Sequence, residues 1–302
     1  MGTLKGQNFR ILTYENEVWK CIGMATNCNV TLTNNVEQAE TKDDVGLASK
    51  PTTTSKSWSV SVDSLNVADV AALMTAMKSF QKIRLKWDET LTTNNQAADN
   101  ATFYREGDAY LNDATFTFND RENSAKSLQF TGTSALEYYS SDPDTTIVTP
   151  GAYTKGQSVR LFLSSDNSAA PTAVIAACKQ MSIHVSVSLE DATTKDTTGE
   201  WQIQEPTALN YDISTTALVR SGETITSSVA GKGLADIETI YTNGTPVKWK
   251  IANTSGDNNR TASSTICSGS ALISQLQISA QNKQNATYTA QLQGYGEYTV
   301  GS

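Results

Sequence analysis

The sequence predicts a mainly β chain with one helix per unit, built as two tandem units of a single pattern. Three observations predict it: segments that recur in order along the whole length, short runs of alternating polar and apolar residues, and one amphipathic helical run in each half.

The recurrence sets the organisation. Lys5-Gly6-Gln7-Asn8-Phe9-Arg10-Ile11-Leu12 returns 150 positions later as Lys155-Gly156-Gln157-Ser158-Val159-Arg160-Leu161-Phe162. At offset 153, Glu37-Gln38-Ala39-Glu40-Thr41-Lys42-Asp43 falls on Glu190-Asp191-Ala192-Thr193-Thr194-Lys195-Asp196, and Trp58-Ser59-Val60-Ser61-Val62 on Tyr211-Asp212-Ile213-Ser214-Thr215. Ile83-Arg84-Leu85-Lys86-Trp87 meets Val247-Lys248-Trp249-Lys250-Ile251 at offset 164, and Phe130-Thr131-Gly132 meets Leu292-Gln293-Gly294 at offset 162. The second unit carries about eleven extra residues, the difference between offsets 164 and 153, around 221–231 and just before its helix. Turn chemistry at Asp142-Pro143-Asp144 and Thr149-Pro150-Gly151 puts the boundary near residue 150, giving units 1–148 and 149–302.

Within each unit the periods are legible. Asn29-Val30-Thr31-Leu32-Thr33 alternates as a half-buried strand does, and so does Ser57-Trp58-Ser59-Val60-Ser61-Val62-Asp63. In the second unit Ile183, Val185, Val187 and Leu189 share one face, while Ser182, His184, Ser186 and Ser188 share the other. Each unit closes on a hairpin: Thr115-Phe116-Thr117-Phe118 with Ser127-Leu128-Gln129-Phe130, and Gln275-Leu276-Gln277-Ile278 with Thr287–Leu292. Sheets apolar on one face only are typically antiparallel. A helix is expected over 67–78, capped by Asn66, with Asp69 in its first turn and Val70, Leu73, Met74 and Met77 facing the core. Its counterpart would bury Leu234, Ile237 and Tyr241 and stop at Asn243-Gly244.

Between the second and third strands both units keep a long polar loop, 34–56 and 190–210. Loops above ~12–15 residues in a compact domain tend to be functional. Both loops keep a Thr-Lys-Asp element, at Thr41-Lys42-Asp43 and Thr194-Lys195-Asp196. The candidate contact residues are therefore Glu37, Glu40, Thr41, Lys42, Asp43 and Asp44, with Glu190, Asp191, Thr194, Lys195 and Asp196.

The bulk numbers narrow the function classes. Lys+Arg 23 against Asp+Glu 31 gives a net charge of −8, which argues against a general phosphate-binding surface. No run of ~18 apolar residues is present to span a membrane, and the N-terminus shows no apolar stretch of a secretory signal. Cys21, Cys28, Cys178 and Cys267 lie too far apart for a CxxC pair; they read as free thiols in a reducing cytoplasm, with a Cys21–Cys28 bridge as the alternative. The single histidine, His184, has no Cys or Asp at ligand-like or triad-like spacing, and no phosphate-loop, dinucleotide, zinc-protease or calcium-loop motif occurs. No enzyme, cofactor or metal site is expected.

The order of short strands, long loop, helix and closing hairpin resembles the tail tube proteins of long-tailed phages. The motif Glu190-Asp191-Ala192-Thr193-Thr194-Lys195-Asp196-Thr197-Thr198-Gly199-Glu200-Trp201 is similar to one that such tail proteins carry. The resemblance implies two tandem β-sandwich or half-barrel domains that complete a β-barrel ring on oligomerisation. Family rings being six-fold, three two-unit chains would make one ring. The polar strand face would line a channel through which DNA passes without specific binding. It implies as lumen-facing Ser57, Ser59, Ser61, Asp63, Thr115, Thr117, Gln129, Asp212, Ser214, Gln275, Gln277, Thr287, Thr289 and Gln291. The long loops would reach the next ring. The partners implied are copies of the chain and other phage tail proteins, with no membrane, in a virion tail assembled in the host cytoplasm. The alternatives are a two-domain β-sandwich adhesion module, or a terminator or initiator ring on the same fold.

Overall fold

The computed structural model describes residues 9–15, 18–22, 25–38, 50–65, 70–89, 104–139, 147–148, 154–197, 199–220, 231–255 and 260–301. The first half contributes β1 (Phe9–Glu15), β2 (Val18–Cys21), β3 (Ala25–Gln38), β4 (Pro51–Ser64), α1 (Val70–Lys78), β5 (Lys82–Glu89), β6 (Tyr104–Asn119), β7 (Ala125–Gly132), β8 (Glu137–Tyr139) and β9 (Ile147–Val148). The second contributes β10 (Val159–Leu163), β11 (Ala173–Ile175), β12 (Cys178–Asp191), β13 (Gln204–Leu218), β14 (Gly231–Lys232), α2 (Leu234–Asn243), β15 (Val247–Thr254), β16 (Ala262–Ser279) and β17 (Thr287–Val300). The chain is mainly β with one helix in each half. Asn66, Asp69 and the linker between 149 and 153 lie outside the described residues.

Eight strands hydrogen-bond side by side in the order β3-β4-β7-β6-β12-β13-β17-β16, every neighbouring pair antiparallel. The middle junction, β6 with β12, joins the two halves. β6 and β16 are long enough to serve two sheets. Their N-terminal parts pair with β5 and β15, which continue to β1 and β10.

The two halves share registers. Val30 faces Val60 and Ile183 faces Ile213, both 153 positions on. Val60 faces Phe130 and Ile213 faces Leu292. Extra residues fall at matching places: Thr26 and Lys179, Thr54 and Thr207, Asn112 and Ser274. Each such bulge shifts which face the following residues occupy, so three in register keep both halves in phase. At one, the hydroxyl donates to the same carbonyl in each half: Thr54 to Asn35 O and Thr207 to Ser188 O, both 3.2 Å.

Alternation sorts the side chains of the eight-stranded sheet. Trp58, Val60, Val62, Phe116, Leu128, Phe130, Ile183, Val185, Ile213 and Leu292 point into one core shared with Leu73, Met74 and Met77 of α1, Ile237 of α2, and Ile11, Leu161 and Trp249 of the outer strands. Burying a side chain of this size contributes roughly 1.5–3 kcal/mol. The aromatic that opens each core demands glycine beside it. A Cβ on Gly132 would stand 2.2 Å from the Trp58 ring, and one on Gly294 2.7 Å from the Tyr211 ring.

Three expectations are corrected. The strands run further than alternation alone indicated: 34–38 and 51–56 belong to β3 and β4, and 190–191 and 204–210 to β12 and β13. The connection between β12 and β13 shrinks to 192–203. These arms are polar on both faces because they extend past the core, so hydrogen bonding and not burial holds them in strand form. On α2, Tyr241 is exposed and Ile240 takes the buried position beside Ile237. On β3, Leu32 is exposed too. The helix does stop at Asn243, with Gly244 left-handed at φ 62°. Its start is fixed by the Gly233 N–H donating to Asp236 Oδ2 at 2.9 Å.

Cys28, Cys178 and Cys267 are not in disulfides, and the side chain of Cys21 lies outside the described residues. Burial pushes the Cys267 thiol well above its ordinary range. Among the described residues no helix is long and apolar enough to cross a membrane.

Candidate functional site: a polar sheet face and two hairpin tips

The second face of the eight-stranded sheet is polar from edge to edge. Reading across it, Thr31 stands beside Ser59, Ser61 beside Gln129, Asp63 beside Ser127, and Thr115 beside both Ser127 and His184. Ser214 stands beside Gln291, Thr216 beside Thr289, and Gln277 beside Thr289. The structure thus places Ser57, Ser59, Ser61, Asp63, Thr115, Thr117, Gln129, Asp212, Ser214, Gln275, Gln277, Thr287, Thr289 and Gln291 on this one surface, all half-buried or exposed. Its ionisable members are Asp63, Asp113, Asp212 and His184, with neither Lys nor Arg among the cross-strand pairs named. Such a surface offers hydroxyl and amide groups and a weak negative field. One lateral bond joins the Thr216 and Thr289 hydroxyls at 3.0 Å.

The only histidine has partners that its spacing in the sequence did not show. Its Nε2 lies 2.8 Å from Asp113 Oδ2 and its Nδ1 2.8 Å from Asp212 Oδ1. Asp212 is directly opposite it on β13, and Asp113 stands diagonally across on β6. Desolvation pushes the imidazole pKa down, but hydrogen bonds and charge from both carboxylates outweigh it, and the pKa sits above 6.5. In its protonated form both ring nitrogens donate to carboxylates, and in that form neither is left to ligate a metal or take a proton from a nucleophile. The legible signal was register: once the alternation of 182–188 and 208–214 is paired as a hairpin, His184 and Asp212 fall opposite one another.

The tip of the β12–β13 hairpin forms the second surface. Glu37 is a β3 residue opposite Thr52, and Glu190 and Asp191 are β12 residues opposite Glu205 and Gln204, so these three are strand arms and not loop. Glu40, Thr41, Lys42, Asp43 and Asp44 lie outside the described residues. At the second tip, Asp191 Oδ1 accepts from Thr193 N–H at 2.9 Å, and the Thr197 hydroxyl accepts from Thr194 N–H at 2.9 Å. Thr194, Lys195 and Asp196 are exposed on this turn. The descending side folds back on the first half: Gln202 N–H donates to Lys56 O at 2.9 Å, and Lys56 Nζ pairs with Glu200 at 2.6 Å. Thr133 and Gln204 exchange two bonds of 2.9 and 3.0 Å. This brace holds 199–204 and leaves Thr194-Lys195-Asp196 at the free end.

Comparison with known proteins bears on the same chain. No curated protein matches the sequence. Solved structures that overlap it include the tail of an empty gene transfer agent particle (13% identity, 49% of this chain and 99% of that one, TM-score 0.39). The phage SPP1 tail tube overlaps at 20% identity, 49% of this chain and 78% of that one, TM-score 0.37. These overlaps are too loose to carry an argument. The sequence of residues 154–300 matches the family model described as phage tail tube protein. That match is confined to the second half of the chain, 147 of its 302 residues.

Proposed function

We propose that the chain is a tail tube subunit of a phage virion, with two copies of one ancestral unit, 1–148 and 149–302, arranged head to tail. Copies associate through the free edges of β3 and β16, close into rings of three chains with pseudo-six-fold symmetry, and stack. The polar face lines the lumen and lets DNA pass without specific binding. The protein's role is structural and not catalytic; it is assembled in the host cytoplasm and works with other tail proteins.

The observation that carries this reading is the eight-stranded sheet, apolar on the core side and polar on the other across both halves. Among the described residues its outer strand β3 pairs only with β4, and the 275–279 end of β16 pairs only with β17. Open sheet edges of this length invite another strand. A wall of Ser, Thr, Gln and Asp, whose one histidine is already paired with Asp113 and Asp212, offers no free cation among the residues named to hold phosphates, so a polyanion slides past it. The turn at Thr194-Lys195-Asp196 supplies a protruding contact for a heterologous, filament-forming interface.

Electron microscopy of the purified chain tests this. Hollow tubes of constant diameter are expected, with three chains per ring in averaged cross-sections. Closed rings that never stack would assign the chain to a terminator or initiator ring, and monomers persisting at high concentration would overturn the reading.

A further inference from the structure

Three of the large apolar side chains left exposed stand at positions whose counterparts in the other half are buried. Leu32 is 52% exposed, whereas Val185, 153 positions on, is 0% exposed. Ile278 is 49% exposed, whereas Phe116, 162 positions earlier, is 0%. Tyr241 is 48% exposed, whereas Met77, 164 positions earlier, is 1%. The buried member of each pair lies at the junction between the halves: Phe116 and Val185 line the β6–β12 seam, and α1 packs against β12, β16 and β17 as well as β6. The exposed members lie where that junction would be repeated, on β3, on β16 and on α2.

We infer that a second copy of this chain docks its β3 on β16 in the register of the internal seam, Val30 opposite Ile278 and Leu32 opposite Leu276, while covering Tyr241 of α2. This rests on the ring reading above and specifies its contact. The internal seam pairs Ile183 with Phe116 and Val185 with Ala114. Moving β12 back by 153 and β6 forward by 162 gives the pairs named. Those offsets also carry the neighbouring registers and bulges, so the template covers both flanks of the seam. A slip of one residue would turn Leu32 and Val30 to the polar face, so the apolar pattern fixes the register.

The same shift sets the polar chemistry of the new seam. His184, Asp113 and Asp212 become Thr31, Gln275 and Ser59, all neutral. The seam between chains therefore lacks the charged triad that the internal one carries.

The test is a cysteine pair at directly opposed positions on the polar face, Thr31→Cys with Gln277→Cys, oxidised in assembled protein. Directly opposed Cβ atoms lie within reach of a disulfide, and those two residues off do not. A ladder of covalent multimers ending at one closed ring is expected, at least about tenfold stronger than for Thr31→Cys with Gln275→Cys. Tubes in which the offset pair cross-links equally well, or neither pair does, overturn the register and leave the tube reading standing. Failure of the unaltered chain to assemble overturns both. Should the cysteine variants not fold, hydrogen exchange on the unaltered chain decides: backbone amides of 27–33 and 275–279 gain about a hundredfold protection on assembly, and no gain there refutes the docking.

Discussion

His184 and Asp113 meet across the seam between the two halves, Nε2 to Oδ2 at 2.8 Å, one on β12 and the other on β6. With Asp212 on the other ring nitrogen, the imidazolium is the form this geometry holds. Its pKa is raised above 6.5, so the folded chain binds the proton more tightly than the unfolded chain does. The stabilisation is therefore complete below about pH 6.5 and fades as pH rises through the raised value. All three groups are a third or more exposed, so water screens the contact to about 0.5–1 kcal/mol. His184→Gln should lower the thermal midpoint at pH 6 and leave it nearly unchanged at pH 9, measured by calorimetry. An equal loss at both pH values would refute the ionic account.

Glycine beneath an aromatic is the second prediction. Gly132→Ala drives a methyl to 2.2 Å from Trp58, whose indole N–H donates to Ser134 O at 3.0 Å and cannot tilt freely. A loss of about 1–3 kcal/mol is expected in urea unfolding, the range for overpacked cores. Gly294→Ala should cost a similar amount against Tyr211, whose hydroxyl donates to Ser270 O at 2.5 Å. Trp58→Leu in the Gly132→Ala background should recover part of the loss, because it removes the clashing ring. Additive losses in that double variant would mean that the glycine matters for another reason.

Much of this fold was legible because period-2 alternation survives where identity does not. Trp58 and Tyr211 differ, yet each is followed by buried residues at every second position, Val60 and Val62 in one and Ile213 and Thr215 in the other, and the offsets of 153 and 162 recur in the strand registers. What alternation could not show lies where burial is absent. The arms 34–38 and 51–56 have no apolar face, so a polar strand and a polar loop read alike. Tyr241 was a different failure: helical spacing puts it at the position that Met77 uses, but among the described residues it is left exposed. The polar surface was legible residue by residue, and Asp212 follows from the β12–β13 hairpin, while Asp113, the other partner of His184, needed the β6–β12 pairing, a contact between residues 71 positions apart.

Tyr298 ties the end of the chain to the first helix. Its hydroxyl donates to Met74 O at 2.7 Å, fully buried, and burial pushes its pKa well above the usual tyrosine range. The helix carbonyl loses this partner in Tyr298→Phe, at a cost of about 1 kcal/mol. The phenylalanine ring keeps the edge-on contact with Tyr211, whose centroid is 5.5 Å away, so packing is retained. Urea denaturation should show the midpoint moving down without a change in slope. A loss above about 3 kcal/mol would mean that the ring itself had shifted.

The hairpin tip yields the last prediction. Its descending side is braced to the first half by Lys56–Glu200 and Thr133–Gln204, so Thr194-Lys195-Asp196 projects from a fixed base. A contact held this way loses little chain entropy on binding, unlike a mobile loop of the same length. Replacing Thr194-Lys195-Asp196 with Gly-Ser-Gly leaves the strands, the brace and the sheet edges untouched. If the tip reaches the next ring, rings should still form while the critical concentration for tube growth rises about tenfold for each ~1.4 kcal/mol of contact removed. Sedimentation separates the two assemblies, and electron microscopy counts them. Tubes growing at the unaltered concentration would remove the tip from the stacking contact and leave ring formation to the β3 and β16 edges.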